Sequence, residues 1–135
     1  GSDIVYDFDK SISFEGDSGP YLQYATVRAA TILSKAEGLG LTPVVDNTTI
    51  QSSLERYLYR FPEIVERSLQ DYEPHHIVTY LSELAGSFNQ YYASEQVIVA
   101  TDKVETEHRL AIVQAFYQTM RNGLNLLAIQ VPEKM

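Results

Sequence analysis

Tyr21, Tyr24 and Arg28 are spaced i, i+3, i+7. On a helix they fall within about 60° of one another. Two phenols and a guanidinium on one stripe support two kinds of chemistry. Tyrosines at a core boundary bury the ring and leave the hydroxyl wet. The same set can also form a platform for unpaired bases, with the arginine for a phosphate or cation–π contact. Spacing alone leaves both readings open. A second cluster is Phe88-Asn89-Gln90-Tyr91-Tyr92. Asn89 and Tyr92 are i, i+3 neighbours, so an amide and a phenol point the same way. An amide can read a base edge bidentately while a ring stacks on it. The plain reading puts Phe88 in the core with Tyr92 at its rim. The two readings are compatible, with Phe88 as core and Tyr92 facing a pocket.

These residues need helices to position them. Gly19-Pro20 predicts a helix start, because proline suits the first helical position and Asp17 and Ser18 supply acceptors for the first-turn N–H groups. Leu22, Ala25, Ala29, Ile32 and Leu33 give the helix over 20–37 its apolar stripe, and Gly38 reads as its closing glycine. A second helix begins near Thr48 or Thr49, where Thr48-x-x-Gln51 has capping-box form. Ile50, Leu54, Tyr57 and Leu58 make its apolar face, and Arg56 and Arg60 share another. That pair reads first as a solvated face and second as a phosphate contact. Phe61-Pro62 restarts a third helix to about Tyr72, with Ile64, Val65 and Leu69 inward. Pro74 opens a fourth, to about Tyr92, carrying Ile77, Tyr80, Leu81, Leu84 and Phe88 in repeat. Gly86 inside it suggests a close helix–helix approach. Val97-Ile98-Val99 is a connector. Asp102-x-x-Glu105 looks like the cap of a last helix over 103–127, with Leu110, Val113, Tyr117, Met120, Leu124 and Leu127 inward. Five helices and no alternating strands predict an all-α bundle.

The 135 residues suit one domain with its own core. The chain has no cysteine, which excludes disulfides, thiolate metal sites and cysteine nucleophiles and fits a reducing cytoplasm. No apolar run reaches the ~20 residues that span a bilayer, so no membrane partner is expected. A net charge of −8 argues against a general nucleic-acid binder, DNA included. A pocket for a few unpaired bases needs aromatic faces more than net charge, and ten tyrosines without a tryptophan fit that need. Glu73-x-x-His76 and Glu105-x-x-His108 have the form of di-iron carboxylate ligands. Their placement objects: Glu73 precedes a proline, both motifs sit at helix starts, and Glu55, Glu63 and Glu66 read as solvent-facing. No metal site is assigned. No nucleophile–base set or glycine-rich phosphate loop is present, so no catalytic residue is assigned.

The run Ser13-Phe14-Glu15-Gly16-Asp17-Ser18-Gly19-Pro20-Tyr21-Leu22-Gln23-Tyr24-Ala25 resembles the opening of the C-terminal, DALR-type anticodon-binding domain of arginyl-tRNA synthetases. Asn122-Gly123-Leu124-Asn125-Leu126-Leu127-Ala128-Ile129-Gln130-Val131-Pro132-Glu133-Lys134-Met135 is similar to the end of the same family. The Phe88–Tyr92 cluster resembles the family's Phe-Asn-x-aromatic-Tyr run. Tyr91 stands where phenylalanine is usual, Ala128 where glycine is common, and Thr26-Val27 replaces a frequent His-Ala.

The resemblance implies a helical domain of a bacterial-type enzyme that holds the anticodon loop of tRNA(Arg). Tyr21, Tyr24 and Tyr92 would receive the bases, with Arg28 and Asn89 as polar contacts and Phe88 in the same cluster. Met135 would lie beside the loop and offer its thioether and carboxylate. Residues 1–2 look like an expression scar, 3–16 would join the family's catalytic domain, and 17–135 would form the anticodon-binding domain. The class I signatures His-Ile-Gly-His and Lys-Met-Ser-Lys-Ser are absent from the chain. ATP, Mg and the arginine–tRNA ligase step would therefore belong to that separate catalytic domain, which is also the expected intramolecular partner. The other function class compatible with the residues is a helical protein–protein interaction domain that buries the Tyr21/Tyr24 face.

Overall fold

The computed structural model describes residues 18–45, 53–71 and 75–127. They form five helices: α1 (Ser18–Gly38), α2 (Ser53–Tyr59), α3 (Phe61–Asp71), α4 (His75–Ser94) and α5 (Lys103–Leu126). There is no strand among them, and the all-α bundle expected from periodicity is what forms. α1 packs along α5 and against α4. α2 and α3 both pack on α4, and α2 also touches α5. The core lies where these faces meet. It holds Leu22, Ala25 and Ala29 from α1, Leu54 from α2, Ile64 from α3, and Leu81, Leu84, Phe88, Leu110, Val113, Phe116 and Met120 from α4 and α5. Phe88 and Phe116 stack with ring centroids 4.1 Å apart and planes 7° from parallel, which ties α4 to α5.

The caps refine the expectations. α1 already includes Ser18, two residues before the expected start at Pro20. Its end is not set by Gly38, which is still helical. Gly40 has φ +75° and takes the left-handed position. Leu41 N–H donates to the Ala36 carbonyl at 2.9 Å, and Gly40 N–H donates to Glu37 at 3.0 Å. That pair of bonds is a Schellman motif, with Leu41 packed on the core beyond it. The expected starts of the second and fourth helices, at Thr48 and Pro74, lie outside the described residues. Arg60 does not share a helical face with Arg56. It sits in the turn after α2, and its carbonyl accepts from Ile64 at 3.1 Å in the first turn of α3. At α5 the expected cap forms, with Asp102 Oδ1 accepting from Glu105 N–H at 3.0 Å. Glu105 does not reach back to complete a box. It accepts from Arg109 Nε at 2.9 Å instead.

The connector between α4 and α5 is pinned by side chains. Thr106, fully buried, exchanges two hydrogen bonds with the Val99 backbone, at 2.8 and 3.1 Å. Arg109 donates to the Gln96 carbonyl and pairs with Glu95 at 3.2 Å. The Thr106 bonds and the Arg109–Gln96 bond satisfy backbone groups that no helix pairs, and the Glu95 ion pair holds Arg109 in place.

The close helix approach occurs at Gly123, not at Gly86. A Cβ on Gly123 would stand 2.7 and 2.8 Å from the Leu81 methyls, whereas one on Gly86 would meet only the Tyr21 hydroxyl at 3.9 Å. Gly123→Ala gains about 1 kcal/mol of helix propensity but overpacks a buried leucine, at about 1–3 kcal/mol. The expected net result is a loss of up to about 2 kcal/mol, read as a lower urea midpoint with an unchanged slope. Gly86→Ala has no such clash and serves as the control.

Tyr91 lies against the core, and its hydroxyl is buried without a partner among the described residues. Burial pushes this phenol up to about 12; Arg109 pulls it back, and Glu95, Glu105 and Glu55 push it further. Tyr80, whose hydroxyl donates to the Tyr57 carbonyl, is also raised by burial. A folded-state value above the unfolded value near 10 leaves stability intact below pH 10 and erodes it as pH rises towards 12. Tyr91→Phe removes an unsatisfied hydroxyl, so it is expected to raise stability by up to about 1 kcal/mol. It is also expected to shallow the fall in melting temperature between pH 10 and 12, which thermal melts across that range would record.

Candidate nucleic-acid interface

The first half of α1 and the last turns of α4 meet to build one surface cluster. Helical spacing brings Tyr21, Tyr24 and Arg28 onto one side of α1, because Leu22, Ala25 and Ala29 bury the other. On α4, Phe88 anchors the helix in the core and thereby sets Asn89 and Tyr92 towards α1. The cluster is joined by direct bonds between the helices. Asn89 Nδ2 donates to the Tyr21 hydroxyl at 3.1 Å. Arg28 donates from one terminal nitrogen to Asn89 Oδ1 at 3.2 Å and from the other to the Tyr24 hydroxyl at 3.1 Å. Its guanidinium carbon lies 4.9 Å from the Tyr24 ring centroid and 4.5 Å from that of Tyr92. Around this bonded centre the phenols remain open, with Tyr21 40%, Tyr24 51% and Tyr92 44% exposed.

Arg28 is the hub, and its partners are neutral. Among the described residues no carboxylate pairs with it. Among those residues its charge is held by two π faces and two uncharged oxygens, weaker partners than an anion. By contrast, Arg67 and Arg109 hold glutamates at 3.5 Å and 2.9 Å. A basic group without an acidic partner among the described residues is notable in a chain of net charge −8.

Six of the seven residues singled out from the sequence can be placed. Tyr21, Tyr24, Arg28, Asn89 and Tyr92 come together. Phe88 is fully buried and cannot touch a bound base; its ring lies 6.3 Å from that of Tyr92 and supports it from beneath. Met135 lies outside the described residues. The bidentate base reading expected of Asn89 meets a constraint, since both ends of its amide are already bonded within the protein. Thr26, at the family's frequent histidine position, is fully buried and donates to the Leu22 carbonyl at 2.8 Å. It faces away from the cluster. Sequence reasoning missed Gly86 as a member of this surface, where it leaves room beside the Tyr21 hydroxyl. Its i, i+3 spacing from Asn89 was the available signal.

Of the two Glu-x-x-His motifs, the first has its Glu73 outside the described residues. Glu105 is engaged by Arg109, and among the described residues no group of three or more His, Cys, Asp or Glu side chains is placed to hold a metal ion. No described helix is long and apolar enough to cross a membrane.

Comparison with known proteins identifies the architecture. The DALR anticodon binding domain family matches residues 22–135. Over 142 aligned positions the chain is 39% identical to an arginine–tRNA ligase of Thermococcus kodakarensis, covering 98% of this chain and 22% of that protein. It is 41% identical to the arginine–tRNA ligase of Pyrococcus furiosus, with the same coverage. Among solved structures it resembles the arginyl-tRNA synthetase of Thermus thermophilus, with a TM-score of 0.71 and 34% identity over 94% of this chain and 23% of that one. The chain thus spans less than a quarter of the length of these relatives. They include archaeal as well as bacterial proteins, which widens the bacterial-type expectation. The matched family describes a non-catalytic domain. With that match running from the second turn of α1 to the last residue, the chain belongs to the DALR anticodon-binding domain family, in the form carried by arginine–tRNA ligases.

Proposed function

We propose that this chain receives the anticodon loop of tRNA(Arg) on the α1–α4 surface, as the recognition domain of a cytoplasmic arginine–tRNA ligase. One observation carries the reading: three half-exposed phenols surround an arginine with no acidic partner among the described residues. Unstacked bases lie on the rings of Tyr21, Tyr24 and Tyr92, each stack contributing about 1–3 kcal/mol. Arg28 meets the backbone phosphates, and Met135 adds a contact at the loop. The domain makes or breaks no bond. The ATP- and Mg-dependent joining of arginine to tRNA belongs to the catalytic domain of the whole enzyme, to which this domain is attached.

Titration with an arginine-anticodon stem-loop at low salt, followed through the ring resonances of the tyrosines, tests the site. The expected result is a shift at Tyr21, Tyr24 and Tyr92 with Tyr57 and Tyr59 unmoved. Saturable binding that leaves those three rings unmoved contradicts it. Binding weakens with added salt, by a slope of about 0.7 for each phosphate neutralised.

A further inference from the structure

We propose that the Arg28 guanidinium is a displaceable occupant of a base-stacking slot between Tyr24 and Tyr92, which an incoming base takes over. The inference rests on the proposed function and extends it to how the site is held before RNA arrives. The flat guanidinium lies over both rings, its central carbon 4.9 and 4.5 Å from their centroids. A planar cation on an aromatic face occupies the position and makes the kind of contact that a nucleobase makes. The rings are half exposed, so occupancy keeps two apolar faces from open water.

The occupant is held by interactions that can be exchanged. Its hydrogen bonds go to a neutral amide and a neutral phenol, and no described carboxylate locks it in place. A phosphate offers the guanidinium a stronger, bidentate partner than either. When a base enters the slot, the rings regain a flat partner and Arg28 gains an anion. The Asn89 Oδ1 that Arg28 leaves is then an unsatisfied acceptor at the slot. Asn89 Nδ2 remains committed to Tyr21. The preferred base is therefore one whose edge brings a donor to Asn89, such as an exocyclic amine.

The test separates occupancy from charge with free cytidine, a planar probe that carries an amine and no phosphate. Arg28→Gln removes the charge and the broad flat face. Arg28→Lys keeps the charge and removes the flat face. Both variants are expected to bind cytidine about tenfold more tightly than the unaltered chain, which corresponds to the release of cation–π contacts with two rings. Arg28→Gln is also expected to lower the salt slope of stem-loop binding by about 0.7, the share of one phosphate, while Arg28→Lys keeps it. Cytidine affinity that is unchanged or weaker in both variants overturns the proposal and makes Arg28 a fixed wall of the site. The wider reading fails separately: stem-loop binding indifferent to Tyr92→Ala would refute the RNA surface, whatever the cytidine result.

Discussion

Phe88→Ala is expected to cost about 3–5 kcal/mol of stability. The side chain is fully buried and stacks on Phe116 across the α4–α5 interface. Truncation removes the ring's transfer energy and leaves a cavity that two helices cannot close without moving. It also withdraws the support beneath Tyr92, 6.3 Å away. Urea unfolding should show a lower midpoint, and RNA affinity should fall with the folded fraction and with the lost support of Tyr92. A Phe88→Leu variant, which keeps most of the volume, should recover much of both. RNA binding lost in a Phe88→Leu protein that is fully folded would mean that Phe88 contacts RNA directly, against its burial.

Tyr92→Ala is expected to do the opposite. Its ring is nearly half exposed, so its removal costs about 1 kcal/mol of stability or less. Its contribution to RNA binding is a stacking face, worth about 1–3 kcal/mol, or roughly a 5- to 150-fold loss of stem-loop affinity. Tyr92→Phe keeps the face and loses only the hydroxyl, so it should bind nearly as well as the unaltered chain. A Tyr92→Phe protein that binds as poorly as Tyr92→Ala would assign the energy to the hydroxyl and not to stacking. The pair of positions thus separates a residue that holds the site from one that meets the ligand, although the two are one helical turn apart.

The sequence is legible where the physics is local. α1 and α5 announce themselves because long 3–4 repeats of Leu, Ala, Val and Met define one buried stripe each. Asp102 caps α5 because an acid and an N–H three residues on are neighbours in any helix start. The Tyr21, Tyr24, Arg28 stripe survives into the structure for the same reason.

What sequence misplaces depends on partners far along the chain. Gly38 reads as the terminator of α1 until the bonds from Gly40 and Leu41 show that Gly40 is the residue that turns left-handed. Gly86 and Gly123 are both mid-helix glycines, and only the residue opposite decides which is packed tightly: Leu81 lies against Gly123. Asn89 bonds to Tyr21 and Arg28, which are more than 60 positions earlier, so no spacing rule could assign those contacts. The resemblance of the opening and closing runs to arginyl-tRNA synthetases carried the function further than periodicity did. Periodicity alone left a base platform and a core boundary both standing.

The central claim is that the α1–α4 surface reads the anticodon loop of tRNA(Arg). The most direct measurement compares binding of an arginine-anticodon stem-loop with that of the same stem-loop bearing a changed anticodon, at low salt, for the unaltered chain and for Tyr92→Ala. About tenfold or greater preference for the arginine anticodon is expected in the unaltered chain, with the arginine stem-loop bound more weakly by Tyr92→Ala. Equal affinity for both stem-loops, unchanged by Tyr92→Ala, would contradict it.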